Sequence, residues 1–453
     1  MSYASSHQGG FMRQARAISW LSIALITILA FCAKEPTGSG PTTFIGGKVF
    51  NDHDTTPIAD ANVIAYNGNT NEPISRSLTA ADGSYLLALP DSLIGTAFYL
   101  KVTAQGFISS PPPEGAPIPF QPVWHDTLEK AVPLRADPAT ASLSRISGTV
   151  LLGSSGFSDG LVVASGQGTT VSSSGVSGPD GYFVIYNLQP GTYSIRCYRA
   201  GYVQDTAAVS VTVSAQTAIA NVNIHMIAGA RGSLSGMITF LATANPNGID
   251  IDVTLINPLT RDVVPGLSTL LDDASRQYQL RLIPPGTYIA WASYRNDGYV
   301  MDPDWIRKSG LPTVTFTAAD TAKTVDFSLT DAITVLSPTN PADTVYACSI
   351  STVKPTFRWE SYPGAHEYII EVNDIHGNLV WGGFDTAGVI RHAQIDSRAT
   401  SAEFNFDNSA RENLQVGQTY RWKVYADNDA AANVQGLLSS SEDLRGLFMV
   451  VGQ

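Results

Sequence analysis

Apolar and polar residues alternate along most of this chain with a period of two. Residues 180–203 show the pattern most clearly, as DGYFVIYNLQPGTYSIRCYRAGYV. Asp180-Gly181 is a turn signal, because Gly accepts positive φ and Asp bonds its own backbone. Phe183 and Ile185 then alternate with Val184 and Tyr186, which predicts a strand. Gln189-Pro190-Gly191-Thr192 suits a type II turn. Tyr193, Ile195 and Cys197 alternate on the return, and Ala200-Gly201-Tyr202 closes the unit. The expected element is a β-hairpin.

The same hairpin pattern recurs twice. In residues 273–300, Tyr278 and Leu280 precede Pro285-Gly286-Thr287-Tyr288, and Gly298-Tyr299 closes. In residues 82–108, Asp82-Gly83 leads into Tyr85, Leu87 and Leu89, and Gly106-Phe107-Ile108 closes. Self-similarity at about one domain length predicts a row of like modules. Each copy sits in the same frame. An apolar-x-Gly-x-apolar strand opens it, at Ile45/Gly47/Val49, Ile146/Gly148/Val150 and Leu234/Gly236/Ile238. An alternating strand ends it, such as Val222, Ile224 and Met226.

This frame resembles the carboxypeptidase regulatory-like domain. Module two carries the full set of that family's marks: Ile146, Gly148, Val150, Asp180, Gly181, Phe183, Leu188, Pro190, Gly191, Tyr193, Gly201 and Tyr202. Module one adds Pro57, Ile58, Ala61 and Val63, and module three lacks the glycine after Asp273. The resemblance implies transthyretin-like, seven-stranded Greek-key sandwiches. A fourth module has Trp359, Tyr368, Ile370, Val372, then Leu414, Gly417, Tyr420 and Trp422. A Leu, a turn and a Tyr opening a strand resemble the tyrosine corner of Greek-key sandwiches. This module resembles a divergent fibronectin type III or immunoglobulin-like domain. The expected fold class is therefore all-β, with four tandem β-sandwich modules. Their expected spans are 44–136, 144–229, 231–331 and 332–453.

Residues 1–32 break the alternation. Arg13 and Arg16 precede an uncharged apolar run, residues 17–31, of signal-peptide length. Cys32 follows, and Leu29-Ala30-Phe31-Cys32 resembles the lipobox of bacterial lipoproteins. Phe31 stands where that motif usually has a small residue. The resemblance implies lipidation at Cys32 and an outer-membrane lipoprotein. Residues 33–43 read as a polar, Pro/Gly-rich tether. The implied partners are a membrane, reached through the lipid, and a glycan or envelope protein.

Composition narrows the function. A chain of 453 residues holds about three to four domains. The formal charge is −12, which argues against nucleic acid as a partner. The seven histidines are scattered, with no H-E-x-x-H or H-x-x-E. The metallocarboxypeptidase zinc pair is thus missing, as are a G-x-S-x-G elbow and a phosphate-binding loop. No catalytic residue, cofactor or metal site is expected, and the chain reads as a non-enzyme. The densest oxygen cluster, Asn51-Asp52-His53-Asp54, reads as a solvated loop, because no Gly-centred loop with a distal Glu follows it. Cys197 reads as a small buried hydrophobe, and a Cys197–Cys348 disulfide is not expected. Trp124, Trp305 and Trp291 are the candidate glycan contacts, while Trp359 and Trp422 read as core. The expected role is an exported scaffold, stalk or adhesive surface module. The alternative is a carbohydrate-binding surface lipoprotein that aids polysaccharide capture.

Overall fold

The computed structural model describes residues 43–452, except 69–71, 112–119, 123–124, 138–139, 141–142, 168–171, 207, 242–250, 273, 293–297, 304–310, 341–346, 375–378, 385–393, 397, 429–435 and 443–444. The expected signal, Cys32 and nearly all of the tether lie outside the described residues, as do most of the Pro-rich loop at 110–120, Trp124 and Trp305. The described chain is almost wholly β-strand and loop, with a 3-10 turn at Asp91–Leu93.

Module two shows the plan. One sheet has the order Tyr182–Leu188, Ser144–Leu152, Ala218–Ala228, Tyr202–Gln204. The facing sheet has the order Ser173–Val176, Leu161–Gly166, Gly191–Tyr198, Val209–Val213. Inward side chains from both sheets, among them Ile146, Phe183, Ile195 and Ile224, fill one core. This is a β-sandwich. Modules one and three repeat it, with opening strands Thr43–Asn51 and Gly232–Phe240 in the same place.

The glycine of the opening strand has a steric cause. The closing strand Ala218–Ala228 runs parallel to Ser144–Leu152, and its register shifts between Ile219 and Val222. That shift drops the Val222 carbonyl onto Gly148, where a Cβ would sit 1.9 Å from the oxygen. The Lys130 carbonyl stands 2.0 Å from the same position at Gly47, and the Val325 carbonyl 1.8 Å at Gly236. No side chain fits there. The Tyr85 hydroxyl donates to the Lys130 carbonyl at 2.7 Å, and the Tyr278 hydroxyl to the Val325 carbonyl at 2.6 Å, so the carbonyl over the glycine is also satisfied.

The expected hairpin is corrected to an arch. Tyr182–Leu188 pairs with the opening strand. Gly191–Tyr198 pairs with Leu161–Gly166 and Val209–Val213 in the other sheet. The two strands face each other across the core, and Gln189-Pro190 carries the chain from sheet to sheet. The same holds for Gln277–Ile283 with Gly286–Ala292, and for Ser84–Leu89 with Phe98–Thr103. Alternation alone shows a half-buried strand and not its partner. The type II turn is corrected too, since Gly191 has φ 157° and not the value near +80° that such a turn requires. The corner is held by its tyrosine. The Tyr193 hydroxyl donates to the Gln189 carbonyl at 2.8 Å, and the Tyr288 hydroxyl to the Pro284 carbonyl at 2.8 Å.

The fourth module packs a three-stranded sheet on a seven-stranded one. Trp359, Trp381 and Trp422 fill its core with Phe357, Phe404 and Phe448. The Tyr420 hydroxyl accepts the Gln415 N–H at 2.9 Å, the tie expected of a tyrosine corner.

The modules do not hang as separate beads. Strands Asn62–Asn67 and Asp252–Ile256 are buried at every position, and Leu161–Gly166 at its first four. In module one, Val63 and Ala65 face the module's own core, while Ile64 and Tyr66 face outward. Those outward residues join Leu161, Val163 and Val176 of module two, and the interior of module three, in one apolar cluster. Tyr66 and Tyr99 stack within it, with centroids 5.0 Å apart. Strands buried on both faces read as continuous apolar runs and lose their alternation.

Candidate functional site

Trp291 is the one nominated glycan contact among the described residues. It lies on Gly286–Ala292, opposite Thr254. Its ring is half-buried against the shared apolar cluster, and its Nε1 is buried without a hydrogen-bond partner.

The loop at residues 51–54 is organised by its own backbone. Asn51 Oδ1 accepts the His53 N–H at 3.1 Å, and Asp54 Oδ1 accepts the Thr56 N–H at 3.0 Å. The Thr56 N–H and hydroxyl hold the Asp54 carboxyl below its ordinary range. Asp52 pairs with Arg135 at 3.2 Å. Among the described residues, no group of three or more His, Cys, Asp or Glu converges as a metal site would.

Sequence reasoning missed the places where modules meet. Each closing turn places a glycine at positive φ: Gly106 at 81°, Gly201 at 87° and Gly298 at 82°. Each of these glycines donates its N–H to the next module. The Gly106 N–H reaches Asn187 Oδ1 at 3.0 Å. The Gly201 N–H reaches the Leu282 carbonyl at 2.7 Å. The Gly298 N–H reaches Glu442 Oε1 at 2.7 Å. Asn187 and Leu282 occupy one repeated position, two residues after the buried Ile185 and Leu280. Both sit at φ 60°, where the strand bulges away from its opening partner. The turn that marks the end of one repeat is therefore the clasp onto the next.

A partly buried ion pair adds a three-way joint. Lys101 of module one bonds Asp262 of module three, and the Ser174 hydroxyl of module two donates to the same carboxylate. Burial raises the Asp262 pKa, but the Lys101 charge and the bonds from Lys101 and Ser174 outweigh it, and the net shift is downward. Arg135 of module one reaches module four, bonding the Gly417 carbonyl.

Between modules one and two lies a cleft of about 380 Å³. The Pro57–Asp60 segment forms one wall. The buried Thr79 hydroxyl fixes that segment by donating to the Ile58 carbonyl at 2.6 Å and accepting the Ala61 N–H at 2.8 Å. Gln105 and Phe107 come from the closing turn of module one, and Arg145 and Tyr186 from two adjacent strands of module two. The Tyr186 hydroxyl donates to the Asp60 carbonyl at 2.5 Å. Burial pushes its phenol well above the ordinary range, so it stays a donor. Gln105 Nε2 is anchored on the Leu143 carbonyl at 2.9 Å. The residues of this cleft are scattered through 51–186 of the sequence, and only docking of two modules assembles them.

No protein-family model matches the chain. No curated protein matches it. Solved structures do align with it at low similarity. A Streptococcal ancillary pilin covers 63% of this chain and 98% of its own, at 8% identity and a TM-score of 0.19. The BcpA major pilin subunit of Bacillus cereus covers 64% of this chain and 100% of its own, at 10% identity and a TM-score of 0.17. The Bacillus anthracis TIE protein covers 86% of this chain and 70% of its own, at 14% identity and a TM-score of 0.17. At scores this low the likeness carries no argument about module arrangement or role.

Proposed function

We propose that this chain is an exported, non-catalytic scaffold of the cell envelope, in which clasped sandwiches hold a surface at a fixed position. The repeated joint carries the reading. Three closing-turn glycines each donate into the following module, and one apolar cluster spans modules one to three. A chain that only tethered independent domains would need neither. Interfaces between domains of one chain are ordinarily small and polar, and relative motion is the default. Here the interface is apolar and hydrogen-bonded, which suits a part that transmits position or load.

The three modules resemble carboxypeptidase regulatory-like domains and the fourth a fibronectin type III domain, on the motifs set out above. Residues 1–32 fit an export signal, and Cys32 the lipid attachment point of an outer-membrane lipoprotein. The membrane is then the first partner. Cells making the full chain and Cys32→Ser test the anchor. Fatty-acid label and envelope association are expected for the first, and release for the second. Envelope association of an unlabelled Cys32→Ser chain would contradict it. Turnover of any substrate by the purified full chain would remove the non-catalytic reading.

The second reading is carbohydrate capture. The cleft between modules one and two favours it over a bare scaffold. Trp124 and Trp305 enter this reading on sequence alone.

A further inference from the structure

The cleft between modules one and two has a charge pattern that selects its ligand. Arg145 stands half-buried in its wall, and among the described residues its guanidinium has no hydrogen-bond or ion-pair partner. Asp54 and Asp60 stand exposed at its rim. Phe107 and Ile58 supply apolar surface beside them.

We infer that this cleft binds a neutral, polyhydroxylated ligand, one or two sugar rings of a glycan. The inference deepens the carbohydrate-capture reading and rests on it, and not on the scaffold reading. An anionic ligand would gain Arg145 but meet two carboxylates. A cationic ligand would gain the carboxylates but meet the guanidinium. Solvent at the rim weakens these interactions, but like charges held a few ångströms apart still oppose each other. A neutral polyol uses all three groups. Carboxylates accept from hydroxyls, and a guanidinium donates to hydroxyl and ring oxygens. The C–H face of a sugar ring needs an apolar surface, which Phe107 offers. The volume suits a small ligand, since such pockets begin at about 300 Å³.

The walls are also fixed before any ligand arrives. Thr79 holds the Ile58–Ala61 segment, Tyr186 holds the Asp60 carbonyl, and the Leu143 carbonyl holds Gln105. Preorganised groups lose little entropy on binding. Docking of the two modules thus creates the site, and the clasp at Gly106 lies beside it in sequence.

Saturation-transfer NMR and titration calorimetry on the full chain test this. The probes are neutral glucose, mannose, galactose and N-acetylglucosamine oligomers, with oligouronates and oligolysines as charged comparisons. Saturable binding of a neutral series is expected. Arg145→Gln and Asp60→Asn should each weaken it about tenfold or more, the loss of one charge-assisted hydrogen bond. Neither side chain holds the fold, so the unfolding midpoint should stay in place. Trp291→Phe should leave binding unchanged. The inference is overturned if no neutral series binds, if uronates or oligolysines bind more tightly, or if neutral binding ignores both variants. None of these outcomes bears on envelope attachment through Cys32.

Discussion

The side-chain amide of Asn187 grips the turn around Gly106 across a module boundary. Asn187 Oδ1 accepts the Gly106 N–H at 3.0 Å, and its Nδ2 donates to the Ala104 and Phe107 carbonyls at 3.3 and 3.1 Å. The residue also sits at φ 60°, which Asn tolerates better than other side chains. One residue thus serves a bulge in its own sheet and a joint to its neighbour. Asn187→Ala removes the bonds and adds backbone strain. It should destabilise the chain by about 2–4 kcal/mol in denaturant unfolding. Asn187→Gly relieves the strain only and should recover about 1 kcal/mol of that loss.

Leu282 holds the equivalent position in module three but contributes only its carbonyl. A leucine at φ 60° is strained. Its side chain is 55% exposed, so little packing is at stake. Leu282→Asn should raise stability by about 0.5–1 kcal/mol, read as a higher unfolding midpoint with an unchanged slope.

The opening-strand glycines should be intolerant where other glycines are not. At Gly148 an added Cβ meets the Val222 carbonyl oxygen at 1.9 Å. At Gly153, φ is 63° and nothing lies within 4 Å. Gly148→Ala should cost more than about 3 kcal/mol, because the closing strand must move. Gly153→Ala should cost about 1–2 kcal/mol, the left-handed penalty alone. Calorimetric unfolding of the two variants checks the contrast.

The Asp262 joint should fail in acid. Its carboxyl lies below the ordinary value of 3.8 when folded. The stability it supplies is complete above that value and is lost as pH falls through the lower, folded value. Lys101→Ala leaves the partly buried carboxylate without its cation. That should cost about 1–3 kcal/mol near neutrality, between the values for exposed and fully buried pairs, and move the acid transition to higher pH. Unfolding curves between neutral pH and strong acid read both effects.

The two cysteines of the sandwiches should differ in reactivity. Burial pushes the Cys197 thiol up to about 12. Cys348 is half-exposed, and both are free thiols. A thiol reagent should label Cys348 in the native chain and Cys197 only after unfolding, because the thiolate is the nucleophile. Mass spectrometry of the labelled peptides decides it.

The sequence announced sandwiches more clearly than it announced their assembly. Ile146, Gly148, Phe183, Ile185 and Tyr193 alternate or recur because each faces its own module's core, so a period of two reveals them. Strand pairing stayed hidden. Phe183 and Tyr193 look like hairpin partners, yet they face each other from opposite sheets, and periodicity is blind to which strand lies alongside. The joints stayed hidden for another reason. Gly106, Gly201 and Gly298 repeat as turn residues, and positive φ explains them locally. Their second role depends on N–H groups that every residue but proline carries. A signal was present in Val162-Val163 and Val63-Ile64, apolar runs that a one-faced sheet would not need. The cleft draws Asp60, Arg145 and Tyr186 from two modules, and no local motif joins them.

Hydrogen exchange of the Gly106 and Gly201 amides in the full chain tests the central claim most directly. If the modules are clasped, both amides should be protected, with opening free energies approaching those of the core strands. Exchange at the rate of an unstructured peptide, while Ser144–Leu152 and its neighbours stay protected, would show independent modules on a string and would contradict the account.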